Sequence, residues 1–115
     1  MKNIIYIILV LSLFSACSNI SDEDLKKARV AVSNGAIIVD VRTPKEFKKG
    51  HIKDSINIPL KRIEKNLIAI SKNTEIVVYC RSGSRSQVSA KILRENGWTV
   101  HDIATRDDWN RKIKK

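Results

Sequence analysis

Glu75-Ile76-Val77-Val78-Tyr79-Cys80-Arg81-Ser82-Gly83-Ser84-Arg85-Ser86-Gln87-Val88 is the stretch on which the fold turns. Ile76 to Tyr79 is apolar without alternation, the pattern of a strand covered on both faces. The run stops at a cysteine, passes through small and basic residues, and enters a helical pattern at about Ser86. A helix N-terminus leaves backbone N–H groups unpaired and carries positive dipole charge, so an anion is stabilised there. The anion that the stretch itself offers is the sulfur of Cys80.

Outward from this stretch, strands and helices alternate. Ala36 to Val41 is apolar almost without alternation, with Asp40 the one exception, again the mark of a buried parallel strand. Ser21-Asp22-Glu23-Asp24 before it has the spacing of a capping box, and Leu25, Ala28 and Val32 recur at helical spacing. A helix over 22–34 is predicted, stopped by Gly35. Thr43-Pro44-Lys45-Glu46 is a second cap with proline at the first helical position, opening a short helix that Gly50 ends. Ser55 to Ile58 reads as a short strand, and residues 42–55 suffice for a crossover between parallel strands. Leu60, Ile63, Leu67 and Ile70 mark one face of a further helix. Val88, Ile92 and Leu93 mark the helix after the cysteine loop, closed by Gly97; Trp98 to Ile103 is the last strand, and 107–113 a short amphipathic helix anchored by Trp109. The class is α/β with a mostly parallel sheet and helices on both faces. Sites in such sheets lie at the carboxyl ends of strands, where Cys80 stands.

The first residues follow different rules. Met1-Lys2-Asn3 precedes an uncharged, largely apolar run from Ile4 to Ala16, too short for an ordinary membrane span and suited to a signal-peptide core. It ends Leu13-Phe14-Ser15-Ala16-Cys17, which resembles the lipobox of bacterial lipoproteins. That resemblance implies a lipid on the Cys17 thiol and cleavage in front of it. The division expected is 1–16 signal peptide, 17–21 lipidated cysteine and tether, and 22–115 the folded domain. The location expected is the periplasmic or extracellular side of a membrane.

The 115-residue chain carries a formal charge of +10; loss of residues 1–16 would remove one lysine and no acid. Such a balance favours anionic surfaces and small anionic substrates, and export sets nucleic acid aside. The chain has two cysteines. With Cys17 lipidated, Cys80 is the only thiol left, in a compartment that favours disulfides. A thiol kept there without a partner points to chemistry.

Four ordered motifs now carry a family resemblance. Val39-Asp40-Val41-Arg42-Thr43-Pro44-Lys45-Glu46-Phe47, then Gly50-His51-Ile52, then Ile56-Asn57-Ile58-Pro59, then Tyr79-Cys80-Arg81-Ser82-Gly83-Ser84-Arg85-Ser86 together resemble the single-domain rhodanese, or thiosulfate sulfurtransferase, pattern. Asp54-Ser55 stands where that family often has Gly-Ala, and Arg106-Asp107 where a glycine pair commonly precedes the last tryptophan. These departures fall on turns at the edge of the site.

The residues ask for a stabilised thiolate: a helix N-terminus and the arginines Arg81 and Arg85 supply positive charge, and Gly83 with Ser82, Ser84 and Ser86 lets backbone N–H groups turn inward. The resemblance implies that Cys80 attacks the outer sulfur of a small anionic donor such as thiosulfate and expels sulfite. A persulfide then stays on Cys80 until a nucleophilic acceptor, cyanide or a thiol, removes it. By the same resemblance, Arg81 and Arg85 would bind the donor's oxyanion, and the backbone from Ser82 to Ser86 would hold the sulfur. Asp40 and Arg42 read as a structural pair near the strand end, Glu46 as a cap, and His51 as a surface or hydrogen-bonded residue. His51 and His101 lack metal-ligand spacing, and neither metal nor cofactor is expected. Two other functions compete. One is a non-catalytic binding or sulfur-delivery module on the same fold. The other is a phosphatase or arsenate reductase, against which the loop argues: relatives of that kind place arginine six residues after the cysteine, and here Arg85 lies five after it.

Overall fold

The computed structural model describes residues 20–66 and 68–113; the expectations for the signal sequence, Cys17 and the start of the tether fall outside them. In chain order the elements are α1 (Asp22–Ser33), β1 (Ile37–Asp40), α2 (Pro44–Lys49), β2 (Ile56–Asn57), α3 (Leu60–Lys65), β3 (Ile76–Cys80), α4 (Ser84–Glu95), β4 (Val100–Thr105) and α5 (Arg106–Asn110). The strands form one sheet in the order β2-β1-β3-β4, and every neighbouring pair is parallel.

Period-two geometry along β3 divides the core between the two faces of the sheet. Ile76, Val78 and Cys80 point to one side, with Val39, Ile63 of α3, and Ala90 and Leu93 of α4. Val77 and Tyr79 point to the other, with Ile38, Ile103, and Leu25 and Ala28 of α1. Every residue of β3 is buried, as its unbroken apolar run requires.

Local chemistry sets the helix ends. Ser21 Oγ accepts from Asp24 N at 3.1 Å and starts α1. Thr43 and Glu46 form the full capping box of α2. Ile20 lies against the second cluster, and its carbonyl accepts from Arg111 Nη2 at 2.8 Å.

Four expectations shift. Helix α3 stops at Lys65, because Asn66 leaves the helix with extended backbone (φ −136°, ψ 115°). Ile70, assigned by period to that helix, instead packs from an irregular segment, and its carbonyl accepts from Trp98 Nε1 at 3.1 Å. Helix α4 starts at Ser84 rather than Ser86, since Gly83 takes a left-handed φ of 97° and ends the loop early. Strand β4 runs from Val100 to Thr105, with Trp98 buried just before it. Helix α5 spans Arg106–Asn110 rather than 107–113, because Thr105 caps it by accepting from Asp108 N at 3.1 Å.

Asp54, where the resembled pattern has glycine, takes φ 65°, a left-handed conformation that aspartate tolerates better than most residues. Its departure from the pattern therefore leaves the turn intact.

Candidate active site

Cys80 ends β3 with its side chain 1% exposed. Its Sγ accepts backbone N–H bonds from Gly83 at 3.0 Å and from Ser86 at 3.3 Å. Gly83 makes the reversal possible: its φ of 97° is open to a residue without a side chain, and a Cβ there would come within 3.3 Å of the Ala104 Cβ. Ser86 is fully buried and fastens the turn, donating from Oγ to the Gly83 carbonyl at 3.0 Å. The loop is thus a cradle of inward N–H groups at the start of an ordinary 12-residue helix, an arrangement that stabilises negative charge on sulfur.

A cleft of about 540 Å³ opens beside Cys80, lined by Arg42, Glu46, Lys49, Gly50, Arg81, Thr105, Arg106, Asp107 and Asn110. Part of its wall is buried ionic structure. Asp40, fully buried, accepts from Arg42 Nε at 2.9 and 3.0 Å and from Nη2 at 2.6 Å; the same Nη2 also donates to the Gly50 carbonyl at 2.6 Å. The hydrogen bonds to Asp40 hold the Arg42 pKa above its usual value. Arg42 also lies over the Tyr79 ring, 5.6 Å from its centroid, and Tyr79 Oη accepts from Ile52 N at 3.0 Å. The pair therefore ties the ends of β1 and α2 to β3.

The two loop arginines separate. Arg81 is exposed and lines the cleft. Arg85, expected beside it on the donor's oxyanion, faces Glu46 instead, with Nη1–Oε1 at 2.6 Å and Nη2–Oε2 at 3.0 Å. This two-pronged pair fixes the start of α4 to the start of α2. Ser82 and Ser84 face each other, Oγ to Oγ, at 3.3 Å on the exposed side of the loop. His51 stacks on Phe47 with ring centroids 3.6 Å apart, and its Nδ1 lies 2.8 Å from the Phe47 carbonyl. No group of three or more metal-ligating side chains occurs among the described residues.

The Arg85 guanidinium is the chief reason that the Glu46 carboxyl is held at about 2, well below its ordinary 4.5. A carboxyl depressed on folding adds stability above its unfolded value, and that stability is lost as pH falls through the folded one. The two side chains are 27% and 32% exposed, so water weakens the pair to about 1 kcal/mol. Glu46→Gln, which keeps the capping geometry, is expected to be less stable than wild type by that amount at pH 7 in urea unfolding. The gap should shrink by more than half at pH 3 and close near pH 2. A gap independent of pH would show that the charge contributes nothing.

Lys49, Thr105, Arg106, Asp107 and Asn110 escaped the reading of the sequence as site residues. Thr105 is the carboxyl end of β4, the strand beside β3, and Arg106, Asp107 and Asn110 follow it. The rule that placed Cys80 at a strand end reaches them once β4 is known to continue to Thr105.

Comparison with known proteins agrees with this geometry. Residues 21–105 match the family described as the Rhodanese-like domain. The chain belongs to the rhodanese-like family. A sulfurtransferase of Allochromatium vinosum is 34% identical over 77 residues, which cover 67% of this chain and 72% of that one. The putative sulfur carrier protein YrkF of Bacillus subtilis is 32% identical over 88 residues, covering 75% of this chain but 48% of that one. Among solved structures, a rhodanese with anions from Escherichia coli superposes with a TM-score of 0.61 at 29% identity, covering 70% of this chain and all of that one. The mostly parallel sheet with helices on both faces is the rhodanese-like architecture.

Proposed function

We propose that this rhodanese-like chain is an exported, lipid-anchored sulfurtransferase that passes a sulfane sulfur through a Cys80 persulfide. The observation that carries the reading is the pair of backbone N–H groups of Gly83 and Ser86 aimed at an enclosed Sγ beside a cation-bearing cleft. In the first half-reaction the Cys80 thiolate attacks the outer sulfur of thiosulfate. A new S–S bond forms to Sγ, the bond to the sulfonate sulfur breaks, and its electron pair leaves on sulfite. The N–H groups of Gly83 and Ser86 donate to the sulfur and stabilise the negative charge it carries as it attacks. Arg81, at the cleft surface, balances the donor's negative charge, while Arg85 holds the loop through Glu46.

The test is to incubate the purified chain with thiosulfate and weigh it intact. A gain of one sulfur atom, removed by cyanide, is expected; a wild-type protein that stays reduced and unmodified overturns the donor assignment. A delivery module is the second reading, favoured by the near-complete enclosure of Cys80 and by the sulfur-carrier name of the Bacillus subtilis relative. It would load in the same way but release sulfur to a docked protein rather than to small acceptors.

Anchoring through Cys17 has its own readout. Cys17→Ala is expected to abolish lipid attachment, so that intact mass shows neither a diacylglyceryl group nor cleavage before residue 17, since both depend on the Cys17 thiol. A wild-type chain from the membrane fraction that carries no lipid on Cys17 would remove the lipoprotein assignment.

A further inference from the structure

The charges on the cleft wall divide into used and unused. Arg42 is taken up by Asp40 and the Gly50 carbonyl, and Glu46 by Arg85. Lys49, Arg81, Arg106 and Asp107 line the same cleft and form no ion pair among the described residues. Three cations thus face one carboxylate. Arg106 stands in a defined place: a Cβ on Gly50 would lie 3.0 Å from its Nη1 and 3.3 Å from its Nη2. The bare glycine lets the guanidinium settle against the backbone on the wall of the cleft that holds Cys80.

Size adds a second constraint. Cavities of roughly 300–1,000 Å³ take organic ligands, and at about 540 Å³ this one greatly exceeds the needs of a small inorganic anion. An organic thiol with its sulfur at Cys80 has room to place its other end on the outer wall. A carboxylate there would meet the planar, two-pronged donor set of an arginine, for which it is the matching acceptor.

We propose that Arg106 is a specificity residue that binds the carboxylate of an organic thiol acceptor, so that the cleft favours carboxylate-bearing thiols over neutral or cationic ones. This rests on the persulfide reading of Cys80. The acceptor thiolate attacks the outer sulfur of the persulfide, a new S–S bond forms on the acceptor, and the old bond to Sγ breaks. Its electron pair returns to Sγ as the thiolate, the transferred outer sulfur keeps the proton it took from water after loading, and the acceptor leaves as a persulfide. Arg106 touches only the far end of that acceptor.

The experiment separates loading from release. Cys80 is loaded with thiosulfate in one arm and with inorganic polysulfide in the other, and the retained sulfur is read by intact mass. The loaded protein then meets 3-mercaptopropionate, 2-mercaptoethanol or cysteamine, and sulfur release is timed. The quantity compared is the ratio of the mercaptopropionate to the mercaptoethanol rate constant in each protein, so the intrinsic reactivities of the thiols cancel between variants. Arg106→Gln is expected to lower that ratio about tenfold, equivalent to about 1.4 kcal/mol. Arg106→Lys should keep most of it, and Arg106→Glu should turn the preference toward cysteamine. A ratio that stays within about twofold of wild type in Arg106→Gln and Arg106→Glu overturns the proposal. Loading by polysulfide but not by thiosulfate removes the donor assignment alone, and the release ratios still decide the role of Arg106. Failure of both to load Cys80 removes the persulfide reading and this proposal with it.

Discussion

Cys80→Ser is expected to bring sulfur transfer down to background while leaving the fold in place. The cradle is built from backbone N–H groups of Gly83 and Ser86, and these remain in the variant. What disappears is the atom they serve. A serine hydroxyl does not ionise near neutral pH and has no adjacent base to activate it, so it neither attacks the donor nor carries sulfur. Intact mass after thiosulfate should show no added sulfur, and cyanide should release no thiocyanate above the uncatalysed rate. The side chain is 1% exposed and borders an apolar cluster, but the N–H donors give a hydroxyl partners, so the stability change should stay within about 1–2 kcal/mol. Sulfur transfer persisting in a folded Cys80→Ser protein would move the chemistry away from the loop altogether.

The reach of the sequence reading depends on which physical signals are local. The apolar runs Ile37–Val39 and Ile76–Tyr79 identified two buried parallel strands because burial on both faces leaves no room for alternation. The caps at Ser21 and Thr43 located α1 and α2 because a cap is a contact between residues three apart. The fold class and the strand-end cysteine came from these. Tertiary pairing is invisible at that range. Glu46 and Arg85 are 39 residues apart, and the sequence shows a capping acid and a loop arginine that are each satisfied without the other. The same blindness affected Ile70, whose spacing matched a helix face although an irregular segment presents it to the same core. One local signal was present and passed over: Thr105-Arg106-Asp107-Asp108 is itself a capping sequence, and it places the start of α5, with Arg106, at the cleft.

The largest loss of stability is expected from Asp40→Ala. Asp40 is fully buried and accepts from Arg42 Nε, from Nη2 and from the Arg42 backbone N at 2.9 Å. Truncating it leaves a guanidinium whose side chain is only 9% exposed without its counter-charge, and strands a buried N–H as well. Breaking a buried ion pair from one side costs about 3–5 kcal/mol. For a domain whose total stability is on the order of 5–15 kcal/mol, that is a large fraction. Urea unfolding should show the midpoint falling accordingly. The cost measures an orphaned charge rather than the strength of the pair, and a second variant tells the two apart. Replacing both residues together, Asp40→Leu with Arg42→Met, removes the unpaired charge; the stranded residue-42 N–H is common to both variants, and the added debt is the Gly50 carbonyl that Arg42 Nη2 had satisfied. An unsatisfied carbonyl costs about 1–3 kcal/mol, so the double variant should be more stable than Asp40→Ala alone. If Asp40→Ala instead costs less than about 1 kcal/mol, the guanidinium has found water or another partner, and the pair cannot be what ties β1 to the cleft wall.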